Sequence, residues 1–172
     1  MSQLSLTQLD TLKARILAQP SLASLPNNGD SHQIISNWFN APADGTEVGF
    51  PSAILLVWKE DVSIAALNGV IIWSASPAGA LDSEKTNSWL KWQSMTWANF
   101  LDMSDSQVRQ GVDDVWGAGS ASANAIKGTA CGKRTGTRFE VLYGAEEGTA
   151  IDSLFYGKKL VDSDVVDALN RP

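Results

Sequence analysis

The side chains that could act in catalysis are few and scattered along this 172-residue chain. His32 is the only histidine, so any catalytic arrangement of Ser, His and Asp, or of Cys and His, would have to use it. It falls in the first turn of a predicted helix, where a capping or surface role is expected. Cys131 is the only cysteine, and no metal-ligand pattern surrounds it, so a zinc site is not expected.

Two further motifs also argue against an active site. Asp113 and Asp114 are adjacent on a predicted helix, so their side chains diverge by about 100° and do not act on one substrate as an acid–base pair. Residues 117–120 precede a helix, and their amide groups could bind an anion. This segment lacks the lysine of a P-loop and follows a helix instead of a strand, which disfavours phosphate binding. We therefore predict a non-enzymatic protein that uses no cofactor and no metal ion.

Charge is distributed unevenly along the chain, whose formal net charge is −6. No acidic residue lies between Val115 and Phe139, and the acidic residues become dense from Glu140 onward. The cations of the acid-poor segment are Lys127, Lys133, Arg134 and Arg138. A basic segment beside an acidic tail suits a head-to-tail contact between identical subunits, and the alternative is that both are solvated faces. So few cations in an acidic chain are a weak signal for a specific nucleic-acid ligand, which is not expected.

The composition is typical of one globular domain, with 44% hydrophobic and 19% charged residues. No apolar run approaches the roughly 18 residues that a membrane-spanning helix needs, and the first residues lack the layout of a signal peptide. A lone cysteine fits a reducing cytosol or a particle assembled there. We predict a soluble single domain over residues 1–172. Residues 41–51, which contain two prolines and two glycines, are predicted to form a flexible internal loop.

Hydrophobic periodicity predicts a mainly α fold, a single-domain bundle of short helices with at most a minor β element. The predicted helices cover residues 6–17, 30–39, 62–67, about 81–101, 104–115 and 120–126, then a stretch after Gly132 that includes Phe139 and Tyr143, and a last helix near the end of the chain. Asp30 or Ser31 is the predicted cap of the second helix, Asp61 is that of the third, and Ser163 is that of the last. Residues 54–58 fit a buried strand or a buried helical turn, and residues 153–156 fit a lone strand. Most of the seven tryptophans fall in apolar periodic segments, so Trp92 and Trp97 are expected in the core.

Several motifs resemble a family of small uncharacterised proteins encoded among the virion-structural genes of tailed bacteriophages. Residues 22–28 match its Leu-Ala-Ser-Leu-Pro-Asn-Asn connector, and residues 56–62 match an apolar-Val-Trp segment ending in Asp-Val, from which Lys59 and Glu60 depart. Residues 109–119 loosely match Arg-Gln-Gly-Leu-x-Asp-Val-Phe-x-Gly-Ala-Gly, with Val112 and Trp116 substituted. Residues 133–144 match a Lys-Arg-x-Ala-Thr-Arg-x-Glu-x-Leu-Phe-Ala segment. The closing motif survives at residues 148–149 and 160–165, without its glutamate.

The resemblance implies a virion or assembly protein at the head–tail junction, where small helical proteins form rings. Its partners would be other phage structural proteins or identical subunits, and it would enter the virion during assembly in the host cytoplasm. The alternative is a phage-encoded modulator that binds one host protein. The candidate interface residues are the cations Arg109, Lys133, Arg134 and Arg138.

Arg134 and Arg138 are spaced to share one face at the start of the helix predicted after Gly132. Cations at a helix N-terminus oppose the helix dipole, so local stability does not explain them. The pattern predicts that they pair with Asp113 or Asp114 within the fold or, as the alternative, with an acidic surface on another subunit.

Overall fold

The computed structural model describes residues 3–50, 55–71, 94 and 100–172, and these residues form eight helices and six strands. In chain order these elements are α1 (Leu6–Ala18), α2 (Pro20–Ala23), α3 (Gly29–Asn40), β1 (Leu56–Trp58), β2 (Val62–Ser63), α4 (Ile64–Val70), β3 (Phe100–Leu101), α5 (Ser106–Trp116), α6 (Ala121–Lys127), β4 (Lys133–Thr135), α7 (Arg138–Leu142), β5 (Gly144–Glu147), β6 (Ala150–Ser153) and α8 (Asp162–Leu169). The fold is mixed α/β. The prediction of a mainly α bundle with at most a minor β element is wrong, because a four-stranded mixed sheet and a two-stranded sheet accompany the helices.

The chain divides into two compact units. Unit 1 consists of Met1–Val57 and Thr135–Pro172, and unit 2 consists of Trp58–Arg134. Unit 2 is therefore a continuous stretch inserted between the two parts of unit 1. That residues 1–172 are a single domain stays a prediction.

The helices of unit 1 enclose an apolar core. Ser5 caps α1 in a reciprocal capping box with Gln8, and the helix ends at Ala18, one residue after the predicted end. α3 is capped by Asn28, whose side chain accepts from the amide of Ser31, and not by the predicted Asp30 or Ser31. α8 begins at Asp162, one residue before the predicted cap Ser163. The core side chains include Leu9, Leu12, Ile16, Ile35, Phe39, Phe139, Val165 and Ala168.

The four-stranded sheet has the strand order β4-β1-β6-β5. β1 and β6 are parallel, with Val57 opposite Ile151, whereas β5 and β6 form an antiparallel hairpin. The hairpin turns at Gly148, whose φ of +67° favours glycine. Residues 56–58 are thus a strand, which answers the question that periodicity left open. The strand expected at residues 153–156 lies earlier, at Ala150–Ser153, and it has two partner strands.

The helix predicted after Gly132 begins later and ends earlier than expected. Lys133–Thr135 is the strand β4, and α7 starts only at Arg138, with Thr137 and Glu140 forming its capping box. Because Arg134 lies in a strand and Arg138 in a helix, the two do not share a helix face. The chain then enters β5 at Gly144, so Tyr143, which was expected inside the helix, is its C-cap.

Unit 2 combines short helices with the two-stranded sheet. In that sheet β2 and β3 are antiparallel, with Val62 opposite Leu101. The helix predicted at residues 62–67 therefore starts later, at Ile64, with Ser63 as its cap instead of Asp61. The helix predicted over residues 81–101 lies mostly outside the described residues, as do Trp92 and Trp97. Its predicted end is wrong, because Phe100 and Leu101 form β3.

The two remaining helices of unit 2 follow their sequence signals closely. Asp105 caps α5, and Gly117 ends it with a φ of +84° that other residues rarely adopt. Ser120, the first residue of the helix predicted over residues 120–126, caps α6 by accepting from the amide of Ala123. The buried side chains of these helices are Val112, Val115, Trp116, Ala123 and Ile126.

A close approach at Gly136 makes the core of the sheet sensitive to a single methyl group. A Cβ atom there would lie 2.6 Å from Val57 Cγ1 and 3.2 Å from Val141 Cγ2. Both valines are buried and have stiff χ1 angles. We therefore expect Gly136→Ala to lower the free energy of unfolding by about 1–3 kcal/mol, measured by urea denaturation.

Gly29→Ala is the matched control, because no atom outside the local helix lies within 4 Å of a Cβ at that position. Gly29 is the first residue of α3, where alanine is at least as favourable, so its unfolding midpoint should stay the same or rise slightly. Equal midpoints for both variants would contradict the close contact among Gly136, Val57 and Val141.

Candidate functional site

The structure places the four candidate interface cations in two different environments. Arg138 is the first residue of α7 in unit 1, and it is 7% exposed. Arg109 on α5 and Lys133 on β4 both lie over the indole ring of Trp58 in unit 2. Arg134 follows Lys133 in β4 and is half-buried. The structure thus brings Arg109 and Lys133 together and gives Arg138 a separate set of partners.

The guanidinium group of Arg138 is held by two carboxylates, a carbonyl and an aromatic ring. Its Nε donates to Glu47 Oε1 and its Nη2 donates to Asp44 Oδ2, both at 2.7 Å. Its Nη1 donates to the carbonyl oxygen of Trp38 at 3.2 Å, and the guanidinium carbon lies 4.4 Å from the centre of the Trp38 ring. Charge-assisted hydrogen bonds and a cation–π contact therefore compensate the loss of water around this cation.

The same two carboxylates shape the segment that contains them. The amides of Asp44 and Gly45 donate to the Glu47 carboxylate at 2.9 and 2.8 Å. Thr46 donates from its hydroxyl and its amide to Asp44 Oδ1, and these bonds, with a smaller contribution from Arg138, lower the pKa of Asp44. The flexibility predicted for residues 41–51 stays a prediction, but the centre of this segment is hydrogen-bonded to itself and to Arg138.

Arg138 is paired within the fold, although its acids are not those proposed from the sequence. The sequence suggested Asp113 or Asp114 as an intramolecular partner, whereas the partners are Asp44 and Glu47. Asp113 accepts instead from Lys127 Nζ at 2.5 Å, within unit 2. The side chain of Glu47 is only 3% exposed, so the ion pair of Arg138 and Glu47 is a buried one.

Trp58 forms the centre of the second environment. This residue is 4% exposed, and both the guanidinium carbon of Arg109 and the Nζ of Lys133 lie 4.6 Å from the centre of its ring. Arg109 is oriented by its Nη1, which donates to the carbonyl oxygens of Met103 at 2.7 Å and Ser104 at 2.6 Å. An indole is the aromatic ring that attracts cations most strongly, so Trp58 stabilises two positive charges in one place.

Positive charge is concentrated around Trp58. The pKa of Lys133 is lowered by burial first, and then by the nearby charges of Lys127 and Arg109. A partly buried group of cations attracts carboxylates or other anions, and we call Arg109, Lys127 and Lys133 the unit 2 basic cluster. Burial also raises the pKa of Cys131, whose side chain is fully buried, so its thiol is not an activated nucleophile.

The remaining residues with catalytic potential serve in local contacts. His32 is 8% exposed, and its Nε2 lies 2.6 Å from Asn27 Oδ1, beside the N-terminus of α3. Asp114 accepts from the side-chain amide of Gln110 at 2.9 Å on the surface of α5. His32 is therefore buried and not at the surface as expected, and Asn28 instead of His32 caps α3.

Two buried carboxylates were not singled out from the sequence. Glu140 is 1% exposed and accepts from the amides of Thr137 at 2.9 Å and Gly157 at 2.7 Å. Asp164 is fully buried and accepts from the amide and the side chain of Gln3 at 3.1 and 3.0 Å. The spacing of Thr137 and Glu140 is a capping-box signal that could have revealed the first of them. Asp164 also accepts from the amide of Val161 at 3.5 Å, three residues earlier, but its main partner Gln3 lies at the other end of the chain, and no local spacing reveals that contact.

Comparisons with protein families, characterised proteins and solved structures give no match for this chain. In the part of the chain that the structure describes, no group of three or more His, Cys, Asp or Glu side chains is arranged to hold a metal ion. Within the same residues no helix has the length and hydropathy needed to cross a membrane. The functional argument therefore depends on the sequence motifs and on the contacts given above.

Removing the Arg138 guanidinium should destabilise unit 1 strongly. Arg138→Ala leaves the buried Glu47 carboxylate without its cation, so the free energy of unfolding should fall by about 3–5 kcal/mol in urea denaturation. The control is Lys158→Ala, which removes a cation from an exposed site and should change the free energy of unfolding by less than about 0.5 kcal/mol. Adding Glu47→Gln to Arg138→Ala removes the buried negative charge, so the double variant should regain part of the lost free energy of unfolding. If it regains none, the unpaired Glu47 carboxylate is not the cause of the destabilisation.

The charges around Trp58 can be tested through the titration of Lys133. Lys127→Gln removes a neighbouring cation and leaves the carboxylate of Asp113 in place, so the pKa of Lys133 should rise towards its ordinary value. The side-chain amine of Lys133 can be followed by NMR through a pH titration, with the exposed substitution Lys158→Gln as the control. An unchanged or lower pKa in the Lys127→Gln protein would contradict the clustering of these cations.

Proposed function

We propose that this chain is a non-enzymatic bacteriophage virion or assembly protein that acts through protein–protein contacts, at the head–tail junction of the particle. Motif resemblance along nearly the whole chain supports this proposal. In this view the protein enters the virion during assembly in the host cytoplasm, and its partners are identical subunits or other phage structural proteins.

The observation that carries the proposal is the unit 2 basic cluster, three cations that lie close together in a chain whose net charge is −6. Most of that net negative charge lies in unit 1, and unit 2 is close to neutral. A local group of cations and an acidic surface elsewhere on the same chain are different patches, which favour heterologous contacts between copies that close into rings or continue as filaments. Ring formation is what a head–tail junction requires.

The proposal predicts self-association that depends on ionic strength. Raising the salt concentration from about 0.1 M to about 1 M shortens the screening length from about 10 Å to about 3 Å, so a charge-driven oligomer should dissociate. Size-exclusion chromatography with light scattering should give a mass above the 18.4 kDa of one chain at low salt and a lower mass at high salt.

Mass spectrometry of purified virions tests the location directly. The protein should be present at a constant copy number per particle, and it should be absent from particles that lack tails if it belongs to the completed junction. A protein that is monomeric at every salt concentration, absent from virions and recovered with one host protein would favour the modulator and overturn the proposal.

A further inference from the structure

We propose that the connection between β6 and α8 is a contact surface for a second copy of this chain, and that it meets the hairpin of β5 and β6 on that copy. The inference adds a contact within unit 1 to the proposed self-association and rests on it. We call residues 154–161 the connecting loop and residues 144–153 the acidic hairpin. Both lie in unit 1.

Polar side chains from other parts of unit 1 hold the backbone of the connecting loop. Glu140 accepts from the amide of Gly157 at 2.7 Å. Asn40 accepts from the amide of Leu160 and donates to its carbonyl oxygen, both at 2.8 Å. The loop is thus fixed before a partner arrives, so binding to it would cost little conformational entropy.

The side chains that the connecting loop exposes are mostly apolar or basic. Leu154 is 76% exposed, more than any other large hydrophobic residue that the structure describes, and Val161 is 45% exposed. Lys158 and Lys159 are exposed too, and neither has an ion pair within the described part of the chain. The loop contains no acidic residue. Exposed apolar side chains beside unpaired cations on a fixed loop are typical of a surface that binds an acidic protein partner.

Val161 is an unfavourable residue for its place in the fold. It is the N-cap of α8, with an extended backbone at φ −107° and ψ 156°, and its side chain makes no capping hydrogen bond. Serine, threonine, asparagine and aspartate are preferred at an N-cap, because their oxygens accept from the first amides of the helix. Natural proteins break such local rules mainly at functional or strained sites, so an exposed valine at this position points to a contact that uses it.

The acidic hairpin has the charge that the connecting loop would select. It contains three acids, Glu146, Glu147 and Asp152, and no cation. Glu147 and Asp152 have further interactions within the chain. Ala145 and Glu146 are exposed, and Glu146 has no ion pair among the described residues, so we expect Glu146 to meet the lysines of the loop.

The turn of the acidic hairpin and the start of the connecting loop lie at opposite ends of β6. The turn immediately precedes Ala150, and the loop begins after Ser153. A strand rises about 3.4 Å per residue, so roughly 10 Å separates the two ends. A head-to-tail arrangement would place the loop of one copy against the hairpin of the next, and such a contact repeats until a ring closes or a filament grows.

Val161→Ser separates a contact role from a structural one. Serine supplies the missing cap, so the variant should unfold at the same or a higher temperature than the natural sequence. Its self-association should nevertheless weaken by about threefold or more in light scattering over a concentration series, because an apolar contact is lost. Leu154→Ser should weaken association further, whereas Leu17→Ser, at an exposed site on α1, should leave it unchanged. Normal association of both loop variants would overturn the contact.

A charge exchange tests the choice of a second copy as the partner. One variant carries Lys158→Glu and Lys159→Glu, and the other carries Ala145→Lys and Glu146→Lys. Each alone should self-associate at least about tenfold more weakly than the natural sequence, because like charges would meet. An equimolar mixture should recover association, since each altered surface then faces one of opposite charge. Because all four positions are exposed, circular dichroism should show that both variants fold.

The outcomes distinguish this contact from the proposed function. A mixture of folded variants that stays dissociated would overturn the pairing of loop and hairpin. If the loop variants form the salt-sensitive oligomer normally but fail to enter virions, the partner is another phage protein, and the inference is wrong while the proposed function stands. If the natural sequence is monomeric at every salt concentration, the proposed self-association and this contact are both wrong.

Discussion

The buried guanidinium of Arg138 is the interaction on which much of unit 1 depends. A cation in the first turn of a helix opposes the helix dipole, and its burial removes it from water. Both costs are offset by Asp44 and Glu47, by the carbonyl oxygen of Trp38 and by the Trp38 ring. One side chain thereby joins the C-terminal part of α3, the turn that follows it and the start of α7. The capping carboxylate of Glu140 restores negative charge at the same helix terminus.

Other segments of unit 1 without regular structure are also fixed by side chains that bind main-chain groups. Asn40 accepts from the amide of Leu160 and donates to its carbonyl oxygen, both at 2.8 Å, in the manner of a strand partner. Glu140 accepts from Gly157, and Gln3 donates to the carbonyl oxygen of Lys159. The connection between β6 and α8 is therefore ordered by polar groups, which specify one conformation because an unpaired buried group is costly.

The sequence predicts well those elements whose signals are local. α1 has a helical stripe of Leu9, Leu12 and Ile16 between a serine cap and a proline, and α6 follows a serine cap. Strands β4 and β5 contain no apolar alternation, because end strands of a sheet bury little, so their sequences resemble surface helix or loop. The four candidate cations were identified, but their partners were not. Asp44 and Glu47 lie more than ninety residues before Arg138, and charge alone does not select among distant acids.

The division of the chain imposes an order on its synthesis. All of unit 2 is one continuous stretch that leaves the ribosome before β5, β6 and α8 exist. Unit 1 is closed by α8 against α1, by the contact of Gln3 with Asp164 and by the ion pair of Asp10 with Arg171. Its first helices must therefore wait, with their apolar faces uncovered, until translation has passed residue 160. During that interval the early helices of unit 1 are the natural substrate for a chaperone, while unit 2 already has every residue it needs.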